Sequence, residues 1–217
     1  MDHGADCINT GLSTMAYFQI INPDLIWIYL SFFFLYQIFF LVILEEYYFG
    51  SLDFPMFNAV NEGTTSTFFI LLIGVFAGND IYQKDIIWGL NLYQCILIGL
   101  IFLIILQNIW ILIKLFRNYD CKDIILKNVL FAYISLSYIL VVILSQNQVV
   151  RLNAKIILYI YTILFSRIII SIMICHIFDS NFNQLQVFPI FISTTLIGIA
   201  LIEKFILDRK FYIFIYN

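Results

Sequence analysis

Long apolar runs separated by short polar stretches are the main pattern of this 217-residue chain. A membrane-spanning helix needs about 20 mainly apolar residues, and seven runs approach or exceed that length. They cover Cys7–Ile21, Leu25–Leu44, Thr65–Gly78, Ile86–Phe116, Ile124–Leu144, Ile156–Phe178 and Phe188–Leu207. Because lipid offers the backbone no hydrogen-bond partners, the pattern predicts an all-α polytopic membrane protein. We expect a bundle of about seven transmembrane helices in a single domain, residues 1–217.

Turn residues and charges separate the runs. Asn22-Pro23-Asp24 predicts a tight turn that makes the first two runs a helical hairpin, since proline breaks a helix and Asn and Asp favour turns. Glu45-Glu46-Tyr47-Tyr48 predicts an abrupt polar end to the second helix, and residues 49–62 a loop. The run at 86–116 exceeds one straight crossing, so we expect it to tilt, to bend near Gln107-Asn108 or to begin as an interfacial segment.

Composition supports the membrane class and excludes others. The chain is 63% hydrophobic and 12% charged, whereas a soluble domain has about 25% charged residues. The net charge is -3 and no basic cluster is present, so nucleic acid is not an expected partner. The four cysteines form no Cys-x-x-Cys pair, which favours buried thiols over metal or disulfide roles.

Acidic residues are concentrated at one predicted mouth of the bundle. Asp2 and Asp6 are four residues apart, so a helix would place them on one face. If the first two runs form a hairpin, Glu45, Glu46 and Glu62 lie on the same side of the membrane, with no lysine or arginine among these acids. Charges at membrane depth are costly and usually functional. The pattern predicts a divalent cation or a cationic headgroup on that side.

The first residues also carry a family resemblance. Asp2-His3-Gly4-Ala5-Asp6-Cys7-Ile8-Asn9-Thr10 resembles the end of the signature of eukaryotic choline and ethanolamine phosphotransferases, in the CDP-alcohol phosphatidyltransferase class-I family. That signature is Asp-Gly-x-x-Ala-Arg, a spacer, then Gly-x-x-x-Asp-x-x-x-Asp. Asp2 and Asp6 match its last two aspartates, and His3-Gly4 matches the His-Gly of eukaryotic members.

Three further segments continue the resemblance in order. Leu44-Glu45-Glu46-Tyr47 resembles the family's Trp-Glu-Glu-Tyr or Trp-Glu-His-Tyr, with leucine in place of tryptophan. Val60-Asn61-Glu62-Gly63 resembles Pro-Val-Glu-Gly, and Ile174-Cys175-His176-Ile177 resembles Val-Ala-His-Met.

The resemblance covers the C-terminal two thirds of such an enzyme. The Asp-Gly-x-x-Ala-Arg half of the signature does not occur in this sequence, so we expect residues 1–80 to match the remainder of the catalytic part and 81–217 the C-terminal helices. Two explanations stay open, a gene model that begins at an internal methionine and a truncated copy.

The resemblance implies a reaction and its participants. The expected enzyme is a CDP-alcohol phosphotransferase that transfers phosphoethanolamine or phosphocholine from CDP-ethanolamine or CDP-choline to diacylglycerol and releases CMP. It implies Mg²⁺ or Mn²⁺ bound by Asp2 and Asp6, Asp6 or His3 as general base, and Glu62 and Glu45 as substrate contacts. We expect a location in the endoplasmic reticulum or Golgi membrane and membrane lipid as a partner. A homodimer is one possible oligomeric state.

Two other functional classes stay open. The first is a truncated, catalytically inactive paralogue, favoured by the missing half of the signature. The second is a small transporter or channel, which is less favoured because the acids crowd one mouth and no charged pair lies at mid-depth in two related halves.

Each candidate residue also has a structural interpretation. Asp2 and Asp6 would be a solvated terminus, Glu45-Glu46 a helix end at headgroup level, and Glu62 a helix N-terminal acid stabilised by the dipole. His176 is expected to be a packing or interface residue.

Overall fold

Helices make up nearly all of the described chain. The computed structural model describes residues 2–50, 59–87, 89–144, 154–178 and 186–216. Its helices are α1 Asp2–Ile21, α2 Leu25–Phe49, α3 Ala59–Ala77, α4 Leu92–Asn118, α5 Cys121–Leu144, α6 Ala154–Ile177 and α7 Val187–Tyr216. A 3₁₀ turn at Asn79–Gln83 and a short antiparallel hairpin, β1 Asp85–Ile87 and β2 Leu90–Asn91, lie between α3 and α4.

Four of these helices, α2, α4, α5 and α6, are long and apolar enough to cross a membrane. This confirms the prediction of a membrane-embedded helical protein, whereas the number of about seven spans stays a prediction. α3 and α7 contain shorter apolar stretches, Phe68–Ala77 and Val187–Ile202. Large apolar side chains such as Phe102 and Ile113 on α4 are mostly exposed, as expected of helices that contact lipid.

The predicted turn between the first two helices is confirmed. Asn22 adopts a positive φ of 50° after the end of α1. The Gln83 side-chain amide donates hydrogen bonds to the carbonyls of Ile21 and Asn22, at 2.9 and 3.1 Å. These carbonyls lack helical partners at a C-terminus, so the 3₁₀ turn stabilises the α1–α2 hairpin.

The predicted end of the second helix is wrong. α2 does not stop at Leu44 but continues through both glutamates to Phe49, where Gly50 at φ 70° caps the helix and donates its N–H to the Glu46 carbonyl at 2.8 Å. A glycine relieves the steric penalty of this left-handed conformation, which sets the helix end. The long apolar run from Ile86 starts with the β-hairpin and becomes helical at Leu92, so its first residues are not part of α4; whether they lie at the membrane interface stays a prediction.

α2 is the central helix of the bundle. Every residue from Ile38 to Glu45 on it is buried, which is the mark of a helix surrounded on all sides. α4 and α6 pack against it, α1 packs against α6, and α5 packs against α7. Aromatic contacts join the layers, including the stacked rings of Phe40 and Phe131 at 3.9 Å and of Tyr36 and Phe165 at 5.0 Å.

Candidate functional site

Several helix ends converge at one end of the bundle. The C-terminal ends of α2, α4 and α6 meet the N-terminal end of α5 there, and we call this region the acidic end. α2 contacts the other three helices through Glu45, Tyr47 and Tyr48. Antiparallel neighbours joined by short turns bring alternate helix ends to the same side, so the hairpin topology explains this convergence.

Glu45, a predicted substrate contact, already has a counter-ion. Its side chain is almost fully buried, and its Oε1 accepts a hydrogen bond from Lys114 Nζ at 2.6 Å. The Lys114 ammonium also lies 4.5 Å from the centre of the Phe49 ring. The expectation that the acids gather without a basic residue among them is therefore wrong for Glu45. Its proposed contact with substrate stays a prediction, but the paired carboxylate carries little net charge for a ligand.

A second lysine neutralises another carboxylate at the acidic end. Lys127 Nζ lies 2.5 Å from Asp123 Oδ2, which also accepts a hydrogen bond from the Tyr48 hydroxyl at 2.8 Å. The Lys127 ammonium lies over the rings of Tyr47 and Tyr48, at 5.0 and 4.8 Å. The Tyr119 hydroxyl donates to the Tyr48 carbonyl. Sequence reasoning missed this cluster, although the four-residue spacing of the ion pair was a readable signal.

A cavity of about 200 Å³ opens between the ends of α2 and α6, and we call it the α2–α6 cavity. Its wall is formed by Ile43, Glu46, Tyr47, Ile172, Met173, His176 and Ile177. The ring centres of Tyr47 and His176 are 6.0 Å apart. Segments 44–47 and 174–177, both quoted for the family resemblance, therefore contribute to one cavity from distant parts of the chain. Sequence reasoning treated His176 as a packing residue and did not connect it to Glu46.

The start of α1 is fixed by contacts in the bundle interior. Cys7 is fully buried, with its Sγ 3.3 Å from Ser166 Oγ and its carbonyl accepting a hydrogen bond from the Tyr36 hydroxyl at 3.2 Å. One turn later, a Cβ added to Gly11 would meet Thr162 Cγ2 at 2.6 Å, so only glycine allows this close approach. Asp6 precedes Cys7, and its side chain is exposed.

Three predicted site residues have side chains outside the described part of the structure. Asp2 and His3 are in the first turn of α1, and Glu62 is near the start of α3 rather than in the predicted loop. Among the side chains that are described, no group of three or more His, Cys, Asp or Glu could hold a metal ion. The metal site at Asp2 and Asp6 therefore stays a prediction.

Comparison with protein-family models, with curated proteins and with solved structures finds no match to this chain. The resemblance to the phosphotransferases consequently depends on the quoted motifs.

Proposed function

We propose that this protein is a CDP-alcohol phosphotransferase of the membrane, which transfers phosphoethanolamine or phosphocholine to diacylglycerol and releases CMP. The observation that carries the proposal is the order of the four motif segments, together with the contribution of two of them to the α2–α6 cavity. Glu46 and His176 come from segments 130 residues apart (176 minus 46). Their proximity is expected if both segments serve one site.

The proposed chemistry follows from the needs of phosphoryl transfer. The hydroxyl oxygen of diacylglycerol attacks the phosphorus that carries the alcohol, and the bond from this phosphorus to the CMP oxygen breaks. The hydroxyl proton passes to Asp6 or His3, and both bases stay candidates. Glu62 is proposed to neutralise the cationic choline or ethanolamine group. Glu45 is left out of this assignment because Lys114 is its partner.

Asp2 and Asp6 are the proposed residues for Mg²⁺ or Mn²⁺. They have the right chemistry because hard divalent cations prefer carboxylate oxygens. Their four-residue spacing on α1 places both residues on one side of the helix, and the Asp6 side chain is exposed. When bound, the ion neutralises the diphosphate of the CDP-alcohol.

We further propose that all seven helices cross the membrane, in the endoplasmic reticulum or Golgi. α1 has 20 residues and α3 has 19, so each reaches about 30 Å at the helical rise. α7, with 30 residues, is long enough as well. The α1–α2 turn supports a crossing by α1, because its partner in the hairpin is one of the four apolar spanning helices.

The test is a transfer assay in membranes that contain the full chain. Labelled CDP-ethanolamine and CDP-choline are supplied with diacylglycerol and Mg²⁺, and lipid product is measured. Asp6→Ala is expected to abolish product, and chelation of divalent ions should do the same. Asp80→Ala is the matched control, since Asp80 is an exposed acid in the 3₁₀ turn at the other end of the bundle.

The outcomes separate the hypotheses. Product that persists at normal rate in Asp6→Ala would refute the site assignment. Absence of product from the unaltered chain, with both donors, would favour the catalytically inactive alternative.

A further inference from the structure

The three carboxylates of the acidic end on α2 and α5 differ in their partners. Glu45 is paired with Lys114, and Asp123 is paired with Lys127. Glu46 is partly buried at the wall of the α2–α6 cavity, and its carboxylate has no hydrogen bond or ion pair with any residue in the described ranges. Of these three carboxylates, the one available to a ligand is therefore that of Glu46, on the cavity wall.

The rest of the cavity wall supplies a hydrogen-bond donor and an apolar surface. The His176 ring lies 6.0 Å from the Tyr47 ring, and its imidazole makes no hydrogen bond or ion pair with a described side chain, so its N–H is available as a donor. Of the aliphatic lining residues, Ile43 and Ile172 are buried, whereas Ile177 is 61% exposed. The wall thus combines one carboxylate, one imidazole and aliphatic side chains.

Size and position restrict the ligand. At about 200 Å³ the cavity is smaller than the 300–1,000 Å³ pockets that enclose drug-sized molecules. It accepts a small polar group and not a nucleotide. Because it opens where two spanning helices end, it faces the level at which lipid headgroups lie.

We propose that the α2–α6 cavity binds the headgroup of phosphatidylethanolamine. The primary ammonium donates charge-assisted hydrogen bonds to the Glu46 carboxylate, and a phosphate oxygen accepts one from His176. The start of the acyl region lies along Met173 and Ile177. This binding does not depend on the proposed transfer activity, and an inactive chain would retain it.

The aromatic environment decides between ethanolamine and choline. A quaternary ammonium has no N–H to donate and is bound through aromatic faces. The ring on the cavity wall is Tyr47, and the Lys127 ammonium already lies 5.0 Å from its centre. A second cation at this ring is disfavoured, so a primary ammonium that hydrogen-bonds to Glu46 is preferred.

The test uses the purified full chain in mild detergent with an equimolar mixture of phosphatidylethanolamine, phosphatidylcholine and phosphatidylglycerol with identical acyl chains. Native mass spectrometry counts the lipids that the protein retains. We expect phosphatidylethanolamine to be retained about tenfold over each competitor, in line with a charge-assisted hydrogen bond. Glu46→Gln should remove this preference. Asp120→Asn, which alters an exposed carboxylate outside the cavity at the same end, should keep it.

A cavity-filling variant provides an independent test of lipid binding in the α2–α6 cavity. Met173→Trp fills the cavity from its apolar wall without a change of charge, and it should also remove the preference. A thermal unfolding transition recorded for each variant identifies those that are folded. Equal retention of the three lipids by the unaltered chain, or a preference that survives in folded Glu46→Gln or Met173→Trp protein, would overturn the proposal.

Discussion

The two ends of the bundle are stabilised by different chemistry. At the acidic end, α2 is joined to α4 by the buried Glu45–Lys114 ion pair, while Lys127 and Asp123 of α5 contact its last turn. At the opposite end, the Gln83 amide donates to the carbonyls that end α1, and the Tyr93 hydroxyl donates to the Asp24 carboxylate at 3.0 Å. Lysine–carboxylate pairs therefore help to join the helices at the acidic end, whereas the contacts described at the opposite end are hydrogen bonds from neutral donors.

Tyrosines contribute to both ends of the bundle. Burial raises the pKa of Tyr82, which lies outside the spanning helices, so its hydroxyl stays protonated and donates to the Ile70 carbonyl. Tyr82 thereby fixes the 3₁₀ turn to α3. At the acidic end, the Tyr48 hydroxyl also donates a hydrogen bond, to Asp123, and the rings of Tyr47 and Tyr48 lie against the Lys127 ammonium as well. Tyrosine hydroxyls thus donate hydrogen bonds at both ends, and the acidic end adds cation–π contacts.

Removal of Lys114 is expected to have the largest effect on stability. Lys114→Met leaves the buried Glu45 carboxylate without its counter-ion, which should lower the free energy of unfolding by about 3–5 kcal/mol. Denaturant unfolding in detergent micelles measures this loss. The double variant Lys114→Met/Glu45→Leu removes both charges and should recover most of the stability. A loss below about 1 kcal/mol in the single variant would contradict a buried ion pair.

Loss of Gln83 should have a smaller effect, because the hydrogen bonds that its side-chain amide donates to backbone carbonyls are neutral. Gln83→Ala removes two donated bonds, but the residue is exposed and water replaces them, so we expect a loss of about 0.5–1.5 kcal/mol. Lys84→Ala is the matched control, since this exposed neighbour has no described side-chain contact. Unfolding at low and high salt should give the same loss for Gln83→Ala. A strong salt dependence would contradict the neutral character of the two Gln83 hydrogen bonds.

The positions of the helices along the chain were predictable from the sequence, whereas the contacts between helices were not. The apolar runs and the Asn22-Pro23-Asp24 turn predicted seven helices near their observed positions, since length and turn chemistry are local properties. The pairing of Glu45 with Lys114 depends on the register of α2 against α4, and helices that are apolar on all sides carry no periodic signal of that register. The C-terminal end of α2 was predicted too early, because two consecutive glutamates after an apolar run resemble the polar end of a helix at the headgroup level.

The candidate site was also predictable only in part: its acidic residues were found, but the contacts between its segments were not. The acids on α1 and α2 were found because they interrupt apolar sequence. The contribution of His176 could not be predicted from its surroundings, since a lone histidine near a helix end fits packing as well as binding. Only the packing of α6 against α2 brings it to Tyr47 and the cavity.

The smallest expected effect is that of Asp123→Asn, and it separates the two ion pairs of the acidic end. The Asp123 side chain is 46% exposed, so its pair with Lys127 should contribute only about 0.2–1 kcal/mol. The asparagine oxygen can still accept the Tyr48 hydroxyl. Because salt screens exposed pairs far more than buried ones, the loss should shrink further toward 1 M salt, while the loss in Lys114→Met persists. If the stability losses in Asp123→Asn and Lys114→Met depended equally on salt, the two ion pairs would share one environment. The distinction between a buried Glu45–Lys114 pair and a more exposed Asp123–Lys127 pair would then be refuted.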